Sequence, residues 1–233
     1  MVTVRELRAG VHQLDLGSVN AYLAADDELT LVDAGTPRDA TAIRRGIDEA
    51  GYDVGDVGRV LVTHFDVDHV GALADLAVDA PVYMGAPDIG AFTGAERPSF
   101  RNLKGAIQRS LSVLVDPPGT DPRPVADGDA VGSFRAYHTP GHTPGHVAYV
   151  SEALSVAFVG DLVVESGGQL RPSPWYLSYD VDRVRDSIHD LADRAPAVEV
   201  LAMGHGVPFV RDGSVRLAEL GERIEGGPVR STA

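Results

Sequence analysis

The sequence contains no cysteine. Disulfide bonds, zinc–thiolate sites and cysteine nucleophiles are therefore excluded, and any metal ion must be held by His, Asp or Glu side chains. A chain without cysteine also fits a reducing compartment, so we expect a cytoplasmic protein.

Lysine is almost absent as well. Lys104 is the single lysine among 20 basic residues, and the formal net charge is −14. Binding to nucleic acid needs clustered positive charge, so we expect no nucleic-acid partner. An acidic chain with so little lysine resembles proteins of salt-loving archaea, although a high-GC genome with an ordinary acidic surface would give the same composition.

Long hydrophobic runs are missing too. No segment approaches the ~18 apolar residues of a membrane span, and residues 1–6 lack the features of a secretory signal, so no membrane association is expected. The 233 residues, 44% of them hydrophobic, suffice for one core and predict a single domain over 1–233. Residues 86–127, rich in Gly and Pro, predict an insertion that forms either a lid over a site or a contact within a homodimer.

Hydrophobic patterning predicts strands and helices in two similar halves. The predicted strands are 11–16, 20–25, 29–32, 59–63, 81–84, 133–137, 146–150, 154–159 and 198–203. The predicted helices are 38–50, 70–77, 103–115, 180–194 and 214–225. In the helix at 103–115 one face carries Leu103, Ile107, Leu111 and Leu114. Two such halves would stack two sheets face to face, with the helices outside.

Histidine and aspartate side chains recur where the predicted strands end. These candidate metal ligands are His64, Asp66, Asp68, His69, His142, Asp161 and His205. Because binding residues converge at strand ends in layered α/β folds, we expect these side chains to meet. A tight turn after strand 59–63 would aim His64 and Asp66 at one point and Asp68 and His69 at a neighbouring one.

This set of ligands points to a particular chemistry. Imidazole and carboxylate ligands without thiolate suit zinc, iron or manganese. Two ions about 3.5–4 Å apart would share a bridging hydroxide, formed from a water whose pKa is lowered to about 7. Such a hydroxide attacks carbonyl or phosphoryl centres, and the ions stabilise the oxyanion that forms. We predict two divalent metal ions as cofactors, with zinc favoured and iron or manganese as alternatives.

Five motifs, in this order along the chain, resemble the metallo-β-lactamase superfamily. They are Leu31-Val32-Asp33-Ala34-Gly35, His64-Phe65-Asp66-Val67-Asp68-His69, Thr139-Pro140-Gly141-His142-Thr143, Val159-Gly160-Asp161 and Gly204-His205-Gly206. The resemblance covers roughly residues 11–210. It implies an α/β fold, the four-layer αββα sandwich, in which two mixed β-sheets pack face to face with helices outside. The run 138–146 is closest to hydroxyacylglutathione hydrolase-like members. Their extra helical region for glutathione is not expected here, so that substrate is not assigned.

The resemblance also implies a role for each ligand. His64 and His142 match ligands of the first metal ion, and Asp161 matches the carboxylate that bridges both ions. The residues that match ligands of the second ion are Asp68, His69 and His205. Asp68 and Asp161 are predicted to be catalytic as well.

One residue departs from the family pattern His-x-His-x-Asp-His. Asp66 stands where the family has its second histidine. As an oxygen donor it would make the first site more anionic and tilt it toward iron or manganese. Alternatively, aspartate is too short to reach, and the first site is weak or empty. We expect that Asp66 is a ligand.

Four further residues are candidates for supporting roles. The resemblance implies that Asp33 is a buried aspartate that supports the metal loop. His146 would either line the pocket, hydrogen-bond a ligand or serve a structural role at a strand start. Tyr176 and Tyr179 would form a pocket wall or offer a hydroxyl group to an oxyanion, unless they only pack their loop onto the core.

Three functions from different classes follow from these residues. The first is a hydrolase that uses a metal-bound hydroxide on a small ester, thioester or lactone. The second, raised by Asp66, is a diiron-type oxidoreductase acting on oxygen, nitric oxide or sulfur species. The third is a non-enzymatic metal-binding or sensor protein, which an intact set of seven ligands disfavours.

Overall fold

The computed structural model describes residues 2–98, 103–111 and 122–225. Its strands are β1 (Thr3–Arg8), β2 (Val11–Asp15), β3 (Asn20–Ala25), β4 (Leu29–Val32), β5 (Val57–Leu61), β6 (Val82–Gly85), β7 (Arg123–Val125), β8 (Ala130–Val131), β9 (Phe134–His138), β10 (Val147–Ser151), β11 (Val156–Gly160), β12 (Val163–Ser166), β13 (Gln169–Pro172) and β14 (Val200–Met203). Its α-helices are α1 (Ala40–Glu49), α2 (Val67–Val70), α3 (Leu73–Leu76), α4 (Ala86–Phe92), α5 (Leu103–Leu111), α6 (Val181–Arg194) and α7 (Gly213–Glu225). Short 3₁₀ turns lie at Val54–Asp56 and Trp175–Leu177.

Most of the strands form two mixed sheets. The first has the order β1-β2-β3-β4-β5-β6-β7, antiparallel up to β4 and parallel from β4 onward. The second has the order β14-β11-β10-β9-β8, in which only the β11–β14 pair is parallel. The hairpin of β12 and β13 stands beside them as a two-stranded sheet.

The two sheets pack against each other and carry helices on their outer faces. On β3, Tyr22 lies in the cluster between the sheets, whereas Leu23 lies in the cluster that α1 covers. This alternation follows the two-residue period of a strand. On the other side, α6 buries Val184, Ile188 and Leu191 against the second sheet. Each such aliphatic side chain contributes about 1.5–3 kcal/mol when fully buried. The predicted αββα sandwich is thereby confirmed.

The predicted helix over 70–77 is wrong in detail. The chain instead forms α2 and α3, which are separated at Gly71–Ala72. The amide of Gly71 donates to the Gly35 carbonyl and that of Ala72 to the Ala34 carbonyl, so neither continues the first helix. These bonds tie the ligand-rich segment to the end of β4.

Other strands were not predicted, and part of the insertion belongs to the sandwich. β7, within the predicted insertion 86–127, pairs parallel with β6 and is the edge of the first sheet. β1 and the β12–β13 hairpin also went unpredicted. Residues 112–115 of the predicted helix 103–115, and the tail after 226, lie outside the described residues. Among the residues that are described, no helix has the length and apolar character needed to cross a membrane.

A close approach of two glycines joins the sheets near the predicted site. A Cβ atom on Gly85, at the end of β6, would overlap the carbonyl oxygen of Gly145 in the loop before β10. Gly85 has φ −62° and ψ 128°, which any residue can adopt, so only the contact excludes a side chain here. The loop that carries His142 is therefore held directly against the first sheet.

Replacing Gly85 with alanine should destabilise the fold through this contact. We expect the Gly85→Ala variant to lose about 1–3 kcal/mol of unfolding free energy, the usual cost of overpacking, as measured by urea denaturation. Gly55→Ala is the matched control, because a Cβ atom there meets nothing within 4 Å. Equal unfolding midpoints for the two variants would contradict the close approach.

Candidate metal centre

The seven candidate ligands lie at one edge of the sandwich, beyond the ends of several strands. Here hydrogen bonds join the two sheets: the Asn20 amide donates to the Gly204 carbonyl and the Val147 amide to the Thr63 carbonyl. The loops that follow β5, β9, β11 and β14 therefore meet, as expected from the position of the candidate ligands at strand ends. The structure brings all seven side chains into one cluster with three overlapping groups of potential ligands.

The first side of the cluster consists of His64, Asp66 and His142. Here Asp66 reaches both imidazoles. Its Oδ2 lies 3.3 Å from Nε2 of His64 and 3.0 Å from Nε2 of His142. The aspartate is therefore long enough to reach the two imidazoles of this group.

On the second side, two histidines flank Asp161. Its Oδ1 lies 3.5 Å from Nε2 of His69, and its Oδ2 lies 3.2 Å from Nε2 of His205. His205 Nε2 is also 3.5 Å from Asp68 Oδ2. Because Asp161 Oδ2 is 3.6 Å from His142 Nε2 as well, Asp161 stands between the two sides.

These separations fit the ligands of metal ions. Ligands at 2.0–2.1 Å on a tetrahedral zinc ion lie about 3.3 Å from each other. Within the described parts of the chain, Nε2 of His64, Nε2 of His69 and Oδ1 of Asp161 are buried with no hydrogen-bond partner. A buried polar atom without a partner is costly, and a bound cation would satisfy all three. The residues therefore fit the implied divalent ions.

Each histidine of the cluster is oriented through its other ring nitrogen. Nδ1 of His64 lies 3.0 Å from the Thr63 hydroxyl, and Nδ1 of His69 lies 2.9 Å from an Asp33 oxygen. Nδ1 of His142 lies 2.8 Å from the Ser173 hydroxyl, and Nδ1 of His205 lies 2.7 Å from the Ser18 carbonyl. In all four, Nε2 is left to point into the cluster. Such anchoring contacts fix ring orientation and tautomer in metal sites.

Asp33 is the centre of this supporting layer. It accepts hydrogen bonds from the Thr63 amide and the Thr63 hydroxyl, both at 2.8 Å, and contacts Nδ1 of His69. Because the Thr63 hydroxyl proton goes to Asp33, the Thr63 oxygen must accept from Nδ1 of His64. One carboxylate therefore sets the orientation of two ligand imidazoles. Asp33 also has φ 57°, a left-handed conformation that Asp and Asn tolerate well.

His146 holds the backbone of a ligand. Its Nε2 accepts from the Asp161 amide at 3.2 Å, so Nδ1 carries the proton and donates to the Thr139 hydroxyl at 2.8 Å. Burial, reinforced by the neighbouring His64, keeps the pKa of His146 well below its usual value, which agrees with a neutral ring. His146 thus positions Asp161.

The two sides of the cluster differ in electrostatics. Burial and the nearby Lys104 ammonium lower the pKa of His142 to about 4. Burial opposes protonation of His205 as well, but the Asp161 carboxylate outweighs it and raises the pKa of His205 to about 9. For Asp161, burial is outweighed by His69 and His205, which hold its pKa well below its usual range. The second side therefore attracts positive charge strongly.

The tyrosines lie farther out. Tyr176 is 47% exposed, and Tyr179 donates from its hydroxyl to Oε1 of Gln108 at 2.6 Å. Gln108 belongs to α5, and its Nε2 donates to Oδ1 of Asp66 at 3.0 Å and to the Phe65 carbonyl. Tyr179 therefore helps fix α5 over the first side of the cluster.

The helix α5 turns its polar face inward. Leu103 and Leu111 are 55% and 40% exposed, whereas Lys104 and Gln108 are buried. The hydrophobic pattern predicted the apolar face and gave no role to this polar pair, whose residues lie four apart on the same face. The only feature of the sequence that marks this polar face is the sole lysine of the chain, followed four residues later by a glutamine.

Asp88, on α4, is a second residue that sequence analysis missed, and no motif marks it. Its Oδ2 accepts from the Phe65 amide (2.9 Å) and the Thr143 hydroxyl (2.7 Å), and its Oδ1 accepts from the Gly145 amide (2.7 Å). Burial raises the pKa of Asp88 in spite of these donors. This side chain links the two loops that carry the first-side ligands.

An Asp88→Asn substitution should therefore weaken the link. Three donors point at the carboxylate, and an asparagine amide would place its own N–H against one of them. We expect a loss of about 1–3 kcal/mol in unfolding free energy, the cost of an unsatisfied buried polar group, measured in urea. The exposed Asp79→Asn is the control, and an equal effect of both substitutions would contradict this role.

Fold and cluster together define a four-layer sandwich with a His/Asp centre at one edge. The sequence profile of the metallo-beta-lactamase superfamily matches residues 14–218, and the chain belongs to this superfamily.

Individual relatives agree with this placement. YflN of Bacillus subtilis strain 168, designated a probable metallo-hydrolase, is 28% identical over 94% of this chain and 92% of its own length. The thioesterase pkgB of Emericella nidulans is 28% identical over 70% of this chain and 41% of its own length. The crystal structure of the metallo-beta-lactamase family protein TTHA1429 from Thermus thermophilus has a TM-score of 0.72 and 26% identity, covering 94% of this chain and 81% of that one. Family and cluster support a metal-dependent hydrolase in general.

Proposed function

We propose that this chain hydrolyses small esters, thioesters or lactones with two divalent metal ions, zinc being favoured. The observation that carries the proposal is the convergence of four imidazole Nε2 atoms and three carboxylates. Three atoms of this cluster are buried without a hydrogen-bond partner in the described part of the chain. Bound divalent ions would supply an acidified water molecule as nucleophile and polarise the substrate carbonyl.

The candidate ligands fall into two sets, one for each ion. His64, Asp66 and His142 would hold the first ion, and Asp161 would be shared. The residues for the second ion would be Asp68, His69 and His205. Because Asp66 adds an oxygen donor, iron and manganese stay as alternatives to zinc.

The exposure of the ligands indicates where a substrate would enter. The side chains of Asp68 and His205 are 37% and 31% exposed, whereas that of His64 is fully buried. A carbonyl group would therefore approach from the second side. There, the part-exposed carboxylate of Asp68 would accept the proton that a water nucleophile releases, so we propose Asp68 as a catalytic residue together with Asp161.

Apolar side chains beside the centre favour a substrate with an acyl group. The helix α5 contacts the turn Trp175–Leu177, and both present exposed apolar surface: Leu103 on the helix, and Trp175 (69% exposed) with Tyr176 on the turn. Acyl chains bind to such surfaces through the hydrophobic effect. The relative pkgB is named a thioesterase, which agrees with this substrate class.

A panel of substrates tests the proposal. The purified protein, loaded with zinc, would be assayed against acyl thioesters, aryl esters, lactones and phosphoesters, with chelator-treated protein as control. We expect turnover of at least one carbonyl substrate and its loss without metal. Turnover of phosphoesters alone, or oxygen consumption by the iron-loaded protein without any hydrolysis, would contradict the proposed function.

A further inference from the structure

Lys104 lies with its ammonium group inside the first side of the cluster. Its side chain is 5% exposed, and Nζ contacts Oδ2 of Asp66 and lies 3.1 Å from Nε2 of His142. It is the only lysine of the chain. A buried ammonium group therefore lies directly against the Asp66 carboxylate and the His142 ring.

The atoms that Lys104 contacts are those that a metal ion would need. Asp66 Oδ2 and His142 Nε2 belong to the candidate group His64, Asp66 and His142. A lone pair that accepts a proton from an ammonium group is not free to bind a metal ion. Lys104 and a first-site ion therefore cannot share these ligands.

The helix α5 holds the lysine in this position. One turn after Lys104, Gln108 donates to Oδ1 of Asp66 at 3.0 Å and to the Phe65 carbonyl, while its Oε1 accepts from Tyr179 at 2.6 Å. Asp66 is therefore bound at both oxygens by one face of one helix. An ion that binds at the first side must displace the Lys104 ammonium group and so weaken the attachment of α5 to Asp66.

We propose that Lys104 is a built-in competitor for the first metal ion, so that the chain holds one ion tightly and a second one weakly. The inference rests on the proposed metal centre. The tight ion would be held on the second side by Asp68, His69, Asp161 and His205, where Lys104 makes no described contact. Occupation of the first site is coupled to release of α5 from Asp66.

Metal titration of variants tests the competition without any activity assay. We expect the second equivalent of zinc to bind about tenfold to a hundredfold more tightly to Lys104→Met than to the wild-type chain, because a charge-assisted contact no longer has to be broken. Competition with a chromophoric chelator would give both affinities. Arg185→Met, which removes an exposed cation on α6, is the control for net charge. Equal affinities in wild type and Lys104→Met would overturn the inference.

A second measurement uses the wild-type chain alone and so does not depend on how the variant folds. Because Lys104 is the only lysine, amine acylation followed by peptide mass analysis reports on this one side chain. We expect Lys104 to be protected in the metal-free chain and with one equivalent of zinc, and at least tenfold more reactive once two are bound. Two bound ions with Lys104 still protected would overturn the inference and leave the metal centre intact. Failure to bind any zinc would overturn both.

Discussion

The Asp161→Asn variant should lose hydrolysis by a factor on the order of 10³. Asp161 stands between the two sides of the centre, 3.5 Å from His69 Nε2, 3.2 Å from His205 Nε2 and 3.6 Å from His142 Nε2. Asparagine keeps the size of the side chain but removes its charge and one of its two acceptor oxygens. The amide cannot serve both ions, so bound metal should fall together with activity.

The readouts for this variant are the rate of ester or thioester hydrolysis and the metal content by elemental analysis. Asp186→Asn, an exposed position on α6, is the control and should behave as wild type. Circular dichroism would show that both variants fold. An Asp161→Asn chain that retains activity within tenfold of wild type would contradict the shared-ligand role.

Replacing Asp33 should weaken metal binding although Asp33 lies outside the proposed set of ligands. Its carboxylate orients His69 directly and His64 through Thr63. Loss of a carboxylate behind a ligating histidine reduces metal affinity by about 10- to 100-fold. We expect that range for Asp33→Asn in a zinc titration, because an asparagine can offer only one oxygen to donors that now use two.

Asparagine is the appropriate substitution because it also tolerates the left-handed backbone at Asp33. Asp212→Asn is a matched control, since Asp212 has the same φ of 57° but is exposed and remote from the cluster. Unchanged zinc affinity in Asp33→Asn, or an equal decrease in Asp212→Asn, would contradict the proposed support.

Much of the fold could be predicted from local patterns. Buried strands such as β5 and amphipathic helices such as α6 carry their own periodicity, and the ligands stand in the segments that follow strands. Strand ends that share an edge must bring their side chains together, so the composition of the cluster followed from position along the chain. The reach of Asp66 did not follow, because it depends on the geometry of one loop.

The supporting contacts of Asp88 and Gln108, unlike that of Asp33, could not be predicted for a physical reason. Asp88 and Gln108 act across long stretches of chain, and neither belongs to a motif. The buried face of α5 is polar because it meets a carboxylate and an imidazole instead of an apolar core, so hydrophobic patterning indicated the opposite face. β1 and the β12–β13 hairpin depend on pairing with neighbours, because they are short, mostly exposed or half-buried, and lack a run of buried hydrophobic residues.

The most direct test of the metal centre is anomalous diffraction from crystals of the chain grown with saturating zinc. We expect a strong zinc peak enclosed by Asp68, His69, Asp161 and His205, with a second, weaker one at His64, Asp66 and His142. Crystals of this kind with no zinc peak at the second side, or with zinc only at unrelated surface residues, would contradict this expectation.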